Sequence, residues 1–148
     1  MTVREATPED AEAIGRLLDD FNREFDDPTP GPAALAERVA ELLADGELTV
    51  LLADPGPVGV SVLRFWPSLW TPALECHVTE LYVVPEHRGR GTGRALMDAS
   101  LALARQRGAD YVDLFTSEDD VAARALYESL GFTNDDDGSA MLFYEREL

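Results

Sequence analysis

The sequence predicts an α/β (α+β) fold, one domain over residues 1–148 with a mixed, mostly antiparallel central sheet flanked by helices. Three observations predict it. Two apolar runs, Leu48 to Ala53 and Val58 to Phe65, are joined by Asp54-Pro55-Gly56-Pro57, the turn chemistry of an antiparallel hairpin. A β-rich run, Val78 to Val84, enters a glycine- and arginine-rich turn and then a helix, and a further apolar strand follows, so this part is a βαβ crossover with a parallel pair. Near the start, Ala11, Ile14, Leu17, Leu18 and Phe21 recur at helical spacing and give one apolar face.

In chain order, Val3 to Ala6 reads as a first strand. Thr7-Pro8-Glu9-Asp10 starts a helix, with Thr as cap and Pro at the first helical position, and the helix runs to about Phe21. Asp26-Asp27-Pro28-Thr29-Pro30-Gly31-Pro32 breaks the chain as a turn or lid. A second helix, Ala33 to Ala44, turns Leu35, Val39, Leu42 and Leu43 inward. After the hairpin comes an aromatic, proline-bounded loop, Trp66 to Pro72, then the long central strand Glu75 to Val84. Thr92 to Arg107 is a helix stopped by Gly108, and Tyr111 to Thr116 the parallel strand. Val121 to Leu130 is the last helix, and Phe132 to Leu148 a closing hairpin around Asn134-Asp135-Asp136-Asp137-Gly138.

A chain of 148 residues can bury a sizeable core without disulfides or metal. The single Cys76 has no internal partner, and two isolated histidines make no zinc spacing, so no metal is expected. No apolar run reaches about 18 residues and the N-terminus lacks a leader's basic and apolar regions, so the expected location is the cytoplasm. A net charge of −17 with no lysine argues against nucleic acid and against anionic membranes. It favours cationic partners, or else serves solubility alone.

Against that acidity, Arg88, Arg90 and Arg94 stand within seven residues, in Arg88-Gly89-Arg90-Gly91-Thr92-Gly93-Arg94. Glycines let backbone approach a phosphate, and a helix start offers N–H groups and a positive dipole end. The dinucleotide fingerprint is excluded, because Arg94 stands where its third glycine belongs; no Walker-type G-x-x-x-x-G-K-[ST] occurs. What remains is R-x-x-G-x-G after Thr79-Glu80-Leu81-Tyr82-Val83-Val84-Pro85. It resembles the acetyl-CoA motif of the GNAT superfamily of N-acetyltransferases. A second motif, Ala123-Arg124-Ala125-Leu126-Tyr127-Glu128-Ser129-Leu130-Gly131-Phe132, is similar to that superfamily's A-x-x-L-Y-E-x-x-G-F helix, and the preceding elements fall in the same order.

The resemblance implies a central strand splayed from its parallel neighbour and acetyl-CoA as cosubstrate. Tyr82, Val83 and Val84 would offer main-chain contacts to the pantetheine arm and the oxyanion. Arg88, Gly89, Arg90, Gly91, Thr92, Gly93 and Arg94 would hold the pyrophosphate. Tyr127 matches the usual acid. Protonating a thiolate (pKa ~8.5) from an ordinary tyrosine (~10) is uphill by roughly 2 kcal/mol, so hydrogen-bond donation suits it better than full transfer. Glu80 shares a strand face with Tyr82, where relatives carry a base or an amine ligand; orienting the amine is the role its ordinary pKa allows. Phe65, Trp66 and Trp70 lie where the superfamily builds one acceptor wall, and Phe25, Asp26 and Asp27 another, while Glu75 is expected to help draw a cationic acceptor. Where relatives often carry Asn seven residues before the tyrosine, this chain has Asp120, which reads as the cap of the last helix. His77 and His87 receive no role, and His87 reads as exposed.

The arrangement Asn22 to Asp27, Pro67, Pro72, Glu75, Glu80, Leu81 and Asp120 further resembles the gentamicin-type aminoglycoside 3-N-acetyltransferase branch. The expected function is acetyl-CoA-dependent N-acetylation of a small, cationic primary amine, aminoglycoside- or polyamine-like. A protein or peptide N-acetyltransferase and a non-catalytic acyl-CoA-binding module are the alternatives. The superfamily also commonly forms homodimers.

Overall fold

Five strands form one mixed sheet in chain order: β1 (Thr2–Glu5), β2 (Thr49–Asp54), β3 (Gly59–Pro67), β4 (Leu74–Val83) and β5 (Ala109–Asp113). They belong to a computed structural model that describes residues 1–148. β1 to β4 pair antiparallel, with Val3 opposite Ala53, Leu52 opposite Val60, and Val60 opposite Tyr82. β5 lies beside β4, and at its root the Leu74 N–H donates to the Gly108 carbonyl at 3.2 Å. Three helices go with the sheet: α1 (Ala11–Glu24), α2 (Pro32–Ala44) and α3 (Thr92–Gln106). The chain divides into two compact units, Met1–Val112 and Asp113–Leu148.

One sheet face packs under α1 and α2. Ile14, Leu17 and Val39 meet Val50, Leu52, Val60, Val62 and Tyr82 in a continuous core. Ile14, Val50, Leu52 and Val60 are fully buried, so truncating one of the larger of them to Ala costs about 2–5 kcal/mol. The other face meets α3, where the buried hydroxyls of Ser61 and Ser100 lie 2.9 Å apart. Gly15 lets α1 and α2 meet closely: a Cβ there would stand 2.6 Å from the Pro32 carbonyl oxygen.

The first helix begins with a 3-10 turn, Pro8–Asp10, with Pro8 in its first turn as the sequence predicts. Thr7 is its N-cap, as expected, and Asp10 closes a capping box with it. Asp10 Oδ2 accepts from the Thr7 N–H at 2.8 Å, and Arg4 holds the same carboxylate at 2.8 and 2.9 Å. Residues 26–31 form a turn tied to α1: Asp19 accepts from Arg23 at 2.7 Å and from Thr29 Oγ1 at 2.7 Å, and Asn22 donates to the Pro28 carbonyl at 2.8 Å. Trp66 and Pro67, expected in a loop, are the last residues of β3.

β4 carries an irregularity that the alternating pattern does not predict. Glu80 pairs with Val62, yet Val78 pairs with the next residue, Leu63, so Thr79 is a bulge. Strand alternation therefore reverses there. Val78 and Cys76 turn to the α3 face and are buried, while Glu75, His77, Glu80 and Tyr82 share the α1/α2 face.

In the second unit, α4 (Val121–Ser129) opens with Asp120, whose Oδ1 accepts from the Ala123 N–H at 3.1 Å. That bears out the cap reading. The expected hairpin over 132–148 is reduced to two-residue strands, β6 (Asp135–Asp136) and β7 (Ser139–Ala140). Asp137 and Gly138 have φ of 48° and 87°, which suits a tight hairpin turn. Aspartate is a poor strand former, and Ser139 and Ala140 give Asp135 and Asp136 no side chain to pack on, so the ladder stops. Phe115 and Phe143 stack at 4.2 Å beyond it.

Candidate active site

The turn from β4 into α3 has the backbone of an anion cradle. Gly89 and Gly91 have φ of 71° and 83°, the left-handed region, and a Cβ added to either would meet nothing within 4 Å. Backbone is thus exposed to a ligand on that side. The Ala95 N–H donates to the Gly91 carbonyl at 2.9 Å, so the positive end of the 15-residue α3 opens on the turn. Arg90 and Thr92 line a cleft of about 170 Å³ that reaches Asp54 and Val58 at the β2–β3 turn. His87 lines it too. That residue, the last of the short turn Pro85–His87, is half-buried with its Nδ1 enclosed and without a hydrogen-bond partner, not exposed as expected.

Arg88, the first residue of the motif, faces elsewhere. Its Nη2 donates to Glu24 Oε1 at 2.8 Å and its Nε to the Val83 carbonyl at 2.8 Å, and its guanidinium lies 5.5 Å above the Tyr82 ring. Tyr82, 5% exposed, stacks in turn on Phe21 at 5.2 Å. The last turn of α1 is thereby bound to the end of β4. Sequence reasoning missed Glu24, and no local signal could have found it, since its partner lies 64 residues away.

Along the α1/α2 face of β4, Glu80 is half-buried. Burial first, and the charge of Asp27 second, push its carboxyl above the usual range. An acidic group facing a second carboxylate is poised to hold or take a proton from an amine. Asp27 belongs to the turn after α1, whose Phe25 sets its ring edge-on to Phe21 at 5.4 Å. Farther along the face, Trp66 stacks on His77 at 3.6 Å, and Glu75 Oε2 lies 3.8 Å from His77 Nε2. Trp66 is 44% exposed, and Trp70, in the following loop, 83%. The bulge at Thr79 brings Glu75 and Glu80 to one face, and brings His77 with them.

Tyr127 lies on α4 with its ring edge-on to Phe132 at 6.1 Å. Burial first, then Asp120, push its hydroxyl up to about 12. Full transfer of that proton to a thiolate of pKa ~8.5 is then uphill by about 5 kcal/mol, so the hydroxyl can act as a hydrogen-bond donor to a developing anion across the whole working range of pH. No group of three or more His, Cys, Asp or Glu side chains is arranged to hold a metal ion, and no helix is long and apolar enough to cross a membrane.

Residues 12–132 match the model of the acetyltransferase (GNAT) family. A mycothiol acetyltransferase of Beutenbergia cavernae is 37% identical over 102 residues, 67% of this chain and 33% of its own length, so the chain spans about a third of that relative. An aminoglycoside N(6')-acetyltransferase type 1 of Stenotrophomonas maltophilia is 33% identical over 137 residues, 88% of this chain and 85% of that one. Among solved structures, a proposed acetyltransferase from Arthrobacter sp. FB24 superposes with a TM-score of 0.91 at 43% identity, covering 100% of this chain and 96% of that one.

Proposed function

We propose, the chain being a member of the acetyltransferase (GNAT) family, that it transfers the acetyl group of acetyl-CoA to a primary amine of a small cationic acceptor, aminoglycoside- or polyamine-like. In this reading the two units work as one domain in the cytoplasm, since the family match runs across both. The observation that carries it is the pairing of opposite electrostatics on one strand. β4 runs from a carboxylate-lined face, where an amine is welcome, into a glycine and arginine turn, where phosphate is welcome.

Acetyl-CoA supplies an activated acyl group on a thioester. The chain's residues supply the rest. The backbone of Gly89, Gly91 and Gly93, the start of α3, and Arg90 and Arg94 bind the pyrophosphate. Tyr82 and Val83 offer main-chain groups; Val84, expected to join them, has its N–H bonded to the Val58 carbonyl and its carbonyl to the His87 N–H, each at 2.9 Å. Glu80, raised by burial and by Asp27, orients the acceptor amine and accepts its proton. Phe25, Asp26, Trp66, Trp70 and Glu75 bound the acceptor. Tyr127 is carried as the donor to the leaving sulfur by its place in the A-x-x-L-Y-E-x-x-G-F motif.

The direct test is release of free CoA thiol from acetyl-CoA over a panel of amines that includes aminoglycosides, polyamines, simple monoamines and peptides. Fastest turnover on polycationic small amines is the expected result. Acetyl-CoA binding without turnover on any amine would make the chain a binding module instead, and preference for peptides would move the acceptor to protein N-termini.

A further inference from the structure

Between the loop after β3 and the first residues of β5 lies a cleft of about 360 Å³, lined by Ser68, Trp70, Thr71, Glu75, Asp110 and Tyr111. Its two rings are held out of the core, Trp70 83% exposed and Tyr111 51%. An indole so exposed adds little to the fold, and the loop that carries it is nonetheless fixed. The Ser68 N–H donates to the Ala73 carbonyl at 3.0 Å, the Trp70 N–H to Ser68 Oγ at 3.1 Å, and the Ala73 N–H to Thr71 Oγ1 at 3.2 Å. Ring faces attract cations through their quadrupole, and carboxylates through charge; an ammonium or guanidinium gains from both and an anion from neither.

This cleft is continuous with the face of β4 described above, because Glu75 belongs to both. Glu80 lies five positions beyond Glu75, roughly 13–16 Å of strand once the bulge is allowed for. His77, stacked on Trp66, lies between them. We propose that the cleft of Trp70, Tyr111, Glu75 and Asp110 is a second cation subsite, so that the acceptor is an elongated amine whose reacting nitrogen sits at Glu80 while a remote ammonium or guanidinium is held in the cleft. This rests on the reading of Glu80 as the acceptor's ligand. A compact diamine reaches one end only, and a tetramine such as spermine reaches both.

The test compares spermine, putrescine and butylamine on the parent chain, on Asp110→Asn, and on the double variant Asp110→Asn/Tyr111→Leu, by acetylation kinetics and by calorimetric binding in the presence of CoA. Spermine should lose about tenfold in affinity and in kcat/KM in the double variant, with a smaller loss in Asp110→Asn, while putrescine and butylamine change less than about twofold. Equal losses for all three amines, or no loss for spermine, would overturn the subsite. Should no amine be acetylated at all, a calorimetric loss for spermine confined to the cleft variants would still sustain the subsite, and the acetyl-transfer reading alone would fall.

Discussion

At the β1 edge, Asp10 lies against Arg4 and the Thr7 N–H, and those hydrogen bonds hold its carboxyl down at about 2. On β4, Glu80 is half-buried with Asp27 for a neighbour, and its carboxyl is pushed up. Two carboxylates, one in the turn after β1 and one on β4, thus meet opposite treatment. The Arg4, Asp10 and Asp54 group joins β1, the first helix and the end of β2, and its charges are satisfied where they stand. Glu80 is held where its charge is unwelcome to the fold. The fold pairs the edge aspartates with Arg4 and leaves this glutamate buried beside another carboxylate, the environment that the acceptor-ligand proposal for Glu80 draws on.

The linkage signs follow. Asp10, depressed, contributes stability above its unfolded pKa of ~3.9, and that contribution is lost as pH falls toward about 2. Glu80, raised, contributes below its unfolded pKa of ~4.3, and that is lost as pH rises through its folded value. Asp10 supports the fold when ionised, and Glu80 burdens it when ionised.

The largest expected effect comes from adding a carboxylate to the functional side. Gly91→Glu sets a side chain and a negative charge over the cradle, at a φ of 83°. Acetyl-CoA at 100 times its Kd stabilises a native-only binder by about 2.7 kcal/mol, and this variant should lose that thermal shift entirely while circular dichroism stays native. An unchanged shift would remove the cradle from cofactor binding. Next is Tyr127→Phe, which keeps the ring and should lower turnover about 10²-fold with acetyl-CoA affinity unaltered. Because the parent hydroxyl ionises only near 12, its rate should show no falling limb from Tyr127 at lower pH; a limb near 9 that disappears in the phenylalanine variant would contradict this. The smallest effect belongs to the edge. Asp10→Asn should cost under about 1 kcal/mol in chemical denaturation at pH 7, since Arg4 is 45% exposed, and nothing in turnover.

Much of this contrast can be read from the chain alone, and what cannot has physical causes. Pro8, Gly108 and Asp120 mark helix ends because each acts on backbone groups within a few residues. The cradle glycines are legible for the same reason. The bulge is not, since Thr79 is an ordinary strand residue and the extra position exists only against β3, so the common face of Glu75, His77 and Glu80 emerges from pairing. Glu24 finds Arg88 across 64 residues, which periodicity cannot reveal. The closing hairpin was legible in its Asp137-Gly138 turn and misread in its length, because strand ladders need cross-strand side chains that the aspartate run does not provide.

Glu80→Gln, followed by thermal unfolding and amine acetylation in the same buffers from pH 5 to 8, tests the contrast most directly. The glutamine is nearly isosteric and carries no charge, so Tm at pH 7 should rise by about 1–4 °C, the gain shrinking as pH falls, while kcat/KM for a polycationic amine drops at least about tenfold. A fall in Tm together with parent-like turnover would show that Glu80 is a structural carboxylate like Asp10, and that the face of β4 is not where the amine reacts.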